Sequence, residues 1–161
     1  MKKTIVIIVA ALGFALAASA QPKAIGGRLG YGLEASYQHF IGGPNFLEVN
    51  LGLDRWSSVD FSAAATYNFV FAQPSWTPRG YWAWYAGPGV TFGFDSDIDN
   101  ESSKTYSYFG IVGQIGLEYE FWFPLQLSVD LRPTFGYCNG GFYGRGFENG
   151  LIPTLSIRYR F

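Results

Sequence analysis

Cysteine, histidine and methionine occur only once each in the 161 residues, and charged residues make up only 14%. A lone Cys138 cannot close an internal disulfide, and with His39 as the sole histidine the chain cannot build a zinc site of the usual Cys/His kind. The few charges are balanced, 11 Lys+Arg against 12 Asp+Glu, with no basic cluster. That removes the electrostatic footprint a nucleic-acid partner would need. So little charge beside 48% hydrophobic residues also excludes a disordered chain. Beyond residue 20 no apolar run approaches the ~18 residues of a spanning helix. What the chain does have is aromatics and glycine, with 5 Trp, 11 Tyr, 15 Phe and 21 Gly. That pairing favours strands, tight turns and an aromatic-rich surface.

The first twenty residues read as a secretory signal peptide. Lys2 and Lys3 form a positive start, residues 4–18 are apolar, and Ala18-Ser19-Ala20 is a small-x-small cleavage site before Gln21. The apolar stretch is shorter than the ~20 residues of a transmembrane anchor. No cysteine follows the cleavage site to carry a lipid. The remaining chain, residues 21–161, is expected to form one domain with nine Lys+Arg against twelve Asp+Glu.

Within that domain the apolar period is two. In residues 46–54, Leu47, Val49, Leu51 and Leu53 alternate with Glu48, Asn50, Gly52 and Asp54, as in a strand with one apolar and one polar face. The same alternation predicts strands at 24–30, 33–38, 60–72, 81–94, 107–121, 125–137 and 151–161, eight in total. Gly87-Pro88-Gly89 interrupts the fifth, where the missing proline N–H predicts a bulge. Short connections (41–45, 73–80, 122–124) fall at one end. The two longest, 95–106 and 139–150, share the other end with a turn at 30–32 and a loop at 55–58. Short turns on one side and longer loops on the other are the asymmetry of a transmembrane β-barrel.

Charge and size choose the outward face. Eleven charged residues fall on the polar face: Arg28, Glu34, Glu48, Asp54, Asp60, Glu118, Glu120, Asp130, Arg132, Arg158 and Arg160. None falls on the apolar face. A water-soluble barrel with its apolar face inward would show the same alternation. Eight strands, however, enclose only enough room for side chains, and the apolar face carries Trp, Phe and Leu while the polar face is rich in Gly, Ser and Ala. The bulky face therefore belongs in lipid. Aromatics gather toward both rims, Trp82, Trp84, Phe121, Trp122 and Tyr159 at one and Trp56, Phe92, Phe94, Tyr106 and Tyr137 at the other, as interfacial girdles do.

The chain ends Leu155-Ser-Ile157-Arg-Tyr159-Arg-Phe161, alternating apolar residues closing on a terminal phenylalanine. This resembles the C-terminal signature of bacterial outer-membrane barrels. With the signal peptide and eight strands, the whole mature chain is similar to the small OmpA/OmpX-type barrels, within the broad outer-membrane β-barrel domain family. The resemblance implies an all-β, eight-stranded antiparallel up-and-down barrel in the outer membrane of a Gram-negative bacterium, in contact with outer-membrane lipid and lipopolysaccharide. It also implies insertion by the barrel-assembly machinery through Leu155, Ile157, Tyr159 and Phe161. It does not imply one activity. A fainter likeness between residues 46–54 and 124–132, each preceded by a Gly-Leu-Glu, is what a repeated hairpin would leave, and strand alternation alone also produces it.

Chemical motifs are sparse. Asp95-Ser-Asp97-Ile-Asp99 opens like a calcium loop, but Asn100 stands where glycine is required and Tyr106 where a bidentate glutamate is required. A solvated acidic loop is the preferred reading of residues 95–101; a divalent site bridging lipopolysaccharide phosphates is the alternative. His39, Ser36 and Glu34 have the residue types of a hydrolytic triad, and some small barrels modify lipid A, but Ser36 and His39 lie on opposite strand faces. Neither catalytic residues, cofactor nor metal ligands are expected. Cys138 reads as a small residue near the outer mouth, with a disulfide-linked dimer as the lesser alternative to a monomer. The leading functional reading is a non-enzymatic barrel that contributes to envelope integrity or surface interaction. A narrow channel or apolar-ligand transporter is the second, and a lipid-modifying enzyme the third. Glu34, Glu48, Glu118, Glu120 and Asp130 point inward with Arg28, Arg132, Arg158 and Arg160. They are expected to pair into an interior network that closes the lumen, because an unpaired charge there is costly.

Overall fold

The computed structural model describes residues 23–30, 32–54, 60–99, 102–138, 141–145 and 152–161. Residues 1–20, the expected signal peptide, lie outside them, as do Trp56 and most of the expected loop at 139–150. Ten strand segments form one antiparallel sheet. They are β1 (Lys23–Leu29), β2 (Gly32–Phe40), β3 (Phe46–Asp54), β4 (Asp60–Ala72), β5 (Tyr81–Asp99), β6 (Ser102–Glu120), β7 (Leu125–Leu131), β8 (Thr134–Cys138), β9 (Gly141–Arg145) and β10 (Thr154–Arg160). Each of β1 to β6 pairs with the next, β6 pairs with both β7 and β8, and β10 joins β7 to β1. The sheet is therefore a closed eight-stranded barrel.

β7 and β8 are one barrel strand broken at Arg132-Pro133. Pro133 has no N–H for the ladder, but its carbonyl accepts from Gly113 N at 2.9 Å, so the wall stays joined across the break. Closure is made by the chain ends. Ala24 to Leu29 pairs with Arg160 to Leu155, and the backbones of Lys23 and Phe161 exchange two hydrogen bonds, 2.9 and 2.8 Å. The approach is close enough to require glycine. A Cβ on Gly26 would stand 1.9 Å from the Ile157 carbonyl oxygen and 2.6 Å from Arg158 Cα. At the end of β2, the turn at residues 41–45 uses Gly42 and Gly43 at φ of 56° and 87°, a conformation that side chains disfavour.

Two local expectations are corrected. The register runs unchanged past Gly87-Pro88-Gly89, which stay paired with Gln114, Gly113 and Val112 on β6. The irregularity lies instead between Val70 and Ala72 of β4, where Phe71 is the extra residue. Pro88 is accommodated without a bulge, while Phe71 is put on the outer surface beside Phe69. The acidic segment expected as a loop is also strand. Asp95 to Asp99 pairs with Tyr106 to Ser102, which lengthens β5 and β6 to 19 residues each. β9 lies within the other expected loop and pairs with β8.

The faces are those the charges predict. Among the described strands Lys23, at the start of β1, is the charged residue on the outward parity, and its side chain is buried; from Ile25 to Phe161 there is none. Exposed side chains on that face include Leu33, Leu51, Phe109, Ile111, Leu155 and Ile157. Inward positions are polar and buried, among them Ser36, Gln38, Asn50, Thr66, Gln114, Gln126, Ser128 and Ser156. Apolar residues thus cover the outside, and mainly polar ones, with a few aromatics such as Phe46 and Tyr85, fill the interior.

Candidate functional site: the barrel lumen

Because β-strand side chains alternate, every inward residue of eight tilted strands converges on one narrow axis. At its centre lies Arg28 of β1, fully buried. Its guanidinium contacts Glu48 of β3 through Nη1, Asp130 of β7 through Nη2 at 2.6 Å, and Glu34 of β2 through Nε at 3.2 Å. Arg158 of β10 is the second buried cation. It donates to Glu48 Oε1 at 2.9 Å, to Ser36 Oγ at 2.8 Å and to Ser128 Oγ at 2.8 Å. Arg132, at the break between β7 and β8, pairs with Glu34. One connected network therefore ties β1, β2, β3, β7 and β10 across the lumen.

Neutral side chains complete the cross-section. Gln38 Nε2 donates to Glu48 Oε2 at 3.1 Å, Gln126 Nε2 to Gln38 Oε1 at 2.6 Å, and Thr66 Oγ1 to Gln114 Oε1 at 2.7 Å. Tyr85 reaches Asp130 Oδ2 through its hydroxyl at 3.3 Å. The same ring packs edge-on against Phe46 at 5.1 Å, and Phe46 against Phe40 at 5.6 Å, forming a small aromatic plug toward the short-turn end. Gln114 and Gln126 stand on the polar faces that alternation predicts, while Phe46, Tyr85 and Gln38 were not singled out from sequence. Gln38 shares its parity with Glu34 and Phe46 with Glu48, so parity alone could have found them, whereas no charge in residues 81–94 marks the inward parity of Tyr85.

The nine expected interior charges do not form one network. Arg28, Glu34, Glu48, Asp130, Arg132 and Arg158 are connected. Glu120 and Arg160 pair with each other at the short-turn rim, each side chain 26% exposed. Glu118 is the exception to the expected pairing. It is buried and among the described residues it has no ion pair; the neutral amides of Gln38, whose Nε2 donates at 3.4 Å, and of Gln126 hydrogen-bond it instead. The cause is stoichiometric and geometric. Five carboxylates face four guanidiniums, and Arg158, the buried arginine near Glu118, is committed to Glu48, Ser36 and Ser128.

The C-terminal residues Leu155, Ile157, Tyr159 and Phe161 all lie on the outer surface, each more than half exposed. Around the short-turn rim the aromatics touch one another. Trp82 lies 4.6 Å from Tyr119, Tyr119 4.6 Å from Phe121, and Phe121 4.9 Å from Phe123, with Arg79 over the Trp122 ring at 5.9 Å. Trp76, 5.3 Å from Trp82, extends this belt beyond the residues expected from sequence.

The triad types are not assembled. Ser36 Oγ is held by Arg158 and Glu48 inside the lumen, whereas His39 Nδ1 faces the Tyr37 hydroxyl at 3.4 Å on the other side of the same strand. Among the described residues no three His, Cys, Asp or Glu side chains gather closely enough to hold a metal ion. The side chains of Asp95 to Glu101 and of Cys138 lie outside the described set.

No protein-family model and no curated protein matches this chain. Solved structures do. A major outer membrane protein from Thermus thermophilus aligns over 89% of this chain and 100% of its own, with a TM-score of 0.51 and 12% identity. The N-terminal β-barrel domain of Pseudomonas aeruginosa OprF aligns over 87% of this chain and 96% of its own, with a TM-score of 0.66 and 15% identity. At such identities the likeness is one of fold: this chain folds as an eight-stranded β-barrel of the kind seen in outer-membrane proteins.

Proposed function

We propose that this chain is a small integral outer-membrane protein whose barrel is closed, and that it serves the envelope as a structural element and as a surface for interaction. In this reading residues 1–20 are removed on export, and Leu155, Ile157, Tyr159 and Phe161 present the last strand to the barrel-assembly machinery. The monomeric barrel then sits in outer-membrane lipid, with its longer connections toward lipopolysaccharide. The observation that carries the proposal is the contrast between the two faces: among the described strands an outer wall with no exposed charge, and a lumen crossed by the Arg28, Glu34, Glu48 and Asp130 cluster drawn from four strands. An uncharged apolar wall is the requirement for strands in lipid. A cross-section filled by paired charges and glutamines is the opposite of a water path.

The test is electrical. Purified full-length barrel, folded in detergent and added to planar bilayers, is expected to give no stable single-channel currents. Reproducible conductance steps would overturn the closed-lumen reading and favour a narrow channel. Protease shaving of intact cells and fractionation of their envelopes would test the placement and the loop orientation independently.

A further inference from the structure

The unpaired Glu118 lies beside a cavity. At the short-turn end of the lumen a space of about 120 Å³ is floored by Phe40, Ala83 and Glu118, all buried, and rimmed by Pro44, Gln73 and Tyr81, all exposed. The space therefore opens to solvent while its acidic floor is withdrawn from it. Glu118 and Tyr81 stand on the inward parity, so the cavity belongs to the lumen and not to the outer wall. At its mouth Arg160 is already neutralised by Glu120, and its guanidinium sits over the Phe40 ring at 5.1 Å. Its charge is thus offset before it meets an incoming cation.

Three observations define what would fit. Of the nine lumen charges traced above, five are carboxylates and four guanidiniums, and the carboxylate left without an ion pair is a side chain only 5% exposed. A buried carboxylate without a cation is costly, so the site favours a single positive charge. A divalent ion is disfavoured, because no second free carboxylate stands beside Glu118. Beside Glu118 the floor is apolar, with Phe40 and Ala83, while Gln73 and the Glu120–Arg160 pair stand toward the mouth, and the volume far exceeds that of a bare ion. A cavity of about 150 Å³ admits benzene, so one of about 120 Å³ has room for a short alkyl chain behind the charged group.

We infer that this cavity binds a small organic monocation, an alkylammonium or guanidinium group, with Glu118 as its counter-ion, Phe40 and Ala83 as its apolar floor and Tyr81 at its rim. The ligand enters from the short-turn side and is held by a charge-assisted hydrogen bond to the carboxylate.

Amide chemical shifts of the full chain folded in detergent micelles test this with three probes: propylammonium chloride, sodium chloride and 1-propanol. Saturable shifts centred on Ala83 and Glu118 are expected with propylammonium and not with the other two. Glu118→Gln should weaken propylammonium by about tenfold or more, the loss of one charge-assisted contact. Ala83→Leu, which fills the floor, should abolish binding while leaving Glu118 in place. No saturable shift, equal response to 1-propanol, or unchanged affinity in Glu118→Gln would each overturn the inference. Should either variant fail to fold, the comparison of propylammonium with 1-propanol on the unaltered chain still decides it.

Discussion

Removing the Arg28 guanidinium should unpair one charge rather than three. Arg28 contacts Glu34, Glu48 and Asp130, but two of these have a second cation: Glu34 keeps Arg132, and Glu48 keeps Arg158 at 2.9 Å. Asp130 keeps only the Tyr85 hydroxyl at 3.3 Å, with no other ion pair among the described residues. Breaking a buried pair by deleting one partner costs about 3–5 kcal/mol, because the remaining charge is left in low dielectric. Arg28→Met should therefore cost that amount, not a multiple of it. The assay is equilibrium urea unfolding of the folded barrel in lipid vesicles, followed by tryptophan fluorescence. Two companion variants make the reasoning refutable. Arg28→Met with Asp130→Asn removes the orphaned charge and should recover most of the loss, a coupling of about 0.5–3 kcal/mol in the rescuing direction. Glu118→Gln, which removes a carboxylate that has no cation, should not lower stability at all. If the double variant loses as much as its two single variants added together, or if Glu118→Gln destabilises like Arg28→Met, the assigned charge network is wrong.

Other consequences follow from the two faces and the closing seam. Leu51, half exposed on the outer wall, should tolerate phenylalanine but lose about 2–4 kcal/mol as arginine if it lies near the bilayer midplane; equal unfolding midpoints for the two variants would refute its placement in lipid. Gly26→Ala should cost about 1–3 kcal/mol or more by forcing β1 from β10. Gly27→Ala meets nothing closer than 3.9 Å and should be silent in the same unfolding assay. Deleting Phe161 removes its two backbone hydrogen bonds to Lys23, each worth about 0.5–1.5 kcal/mol, as well as the terminal aromatic. The amount of heat-modifiable folded protein in the outer membrane should fall, and unchanged insertion would remove the assembly role given to this strand.

The parts of this architecture legible in the sequence are those that follow from a period of two. Alternation fixes parity, and parity fixes which face each residue shares, so Glu34, Glu48, Asp130 and Arg158 could be placed in one interior before any contact was known. Pairing partners could not. Whether Glu48 meets Arg28 or Arg158 depends on the stagger between strands around the closed sheet, a global quantity that no local pattern encodes. The same limit explains the bulge. Pro88 is a strong local signal, yet its pairing with β6 holds and its register with β4 resumes unshifted after a gap at Gly87 and Pro88, whereas the shift at Phe71 leaves no mark in composition because an extra aromatic on the outer wall reads as ordinary alternation. Residues 95–106 were obscured for a different reason. Acidic and serine-rich composition suggests a solvated loop, but paired backbones extend a hairpin beyond the barrel whenever the register continues, as it does from Phe94↔Ser107 to Asp99↔Ser102.

The uneven charge count bears on how such a barrel can be both stable and specific. A lumen filled with apolar side chains would pack more cheaply, since replacing buried ion pairs with hydrophobic residues is often neutral or stabilising. It would also erase the distinction between the faces on which strand register depends, because a one-residue slip would then exchange one apolar surface for another. Here a slip would carry Arg28, Glu48 or Arg158 into lipid. The buried charges thus penalise the wrong registers more than they stabilise the right one. On that view five central strands need full pairing, since their ion pairs are what a slip would break. Glu118 lies apart from those ties, next to the open turn-side cavity, where a missing cation disturbs no register. A carboxylate without an ion pair is tolerable at that point of the lumen because Gln38 and Gln126 hydrogen-bond it and the cavity beside it can admit a counter-charge.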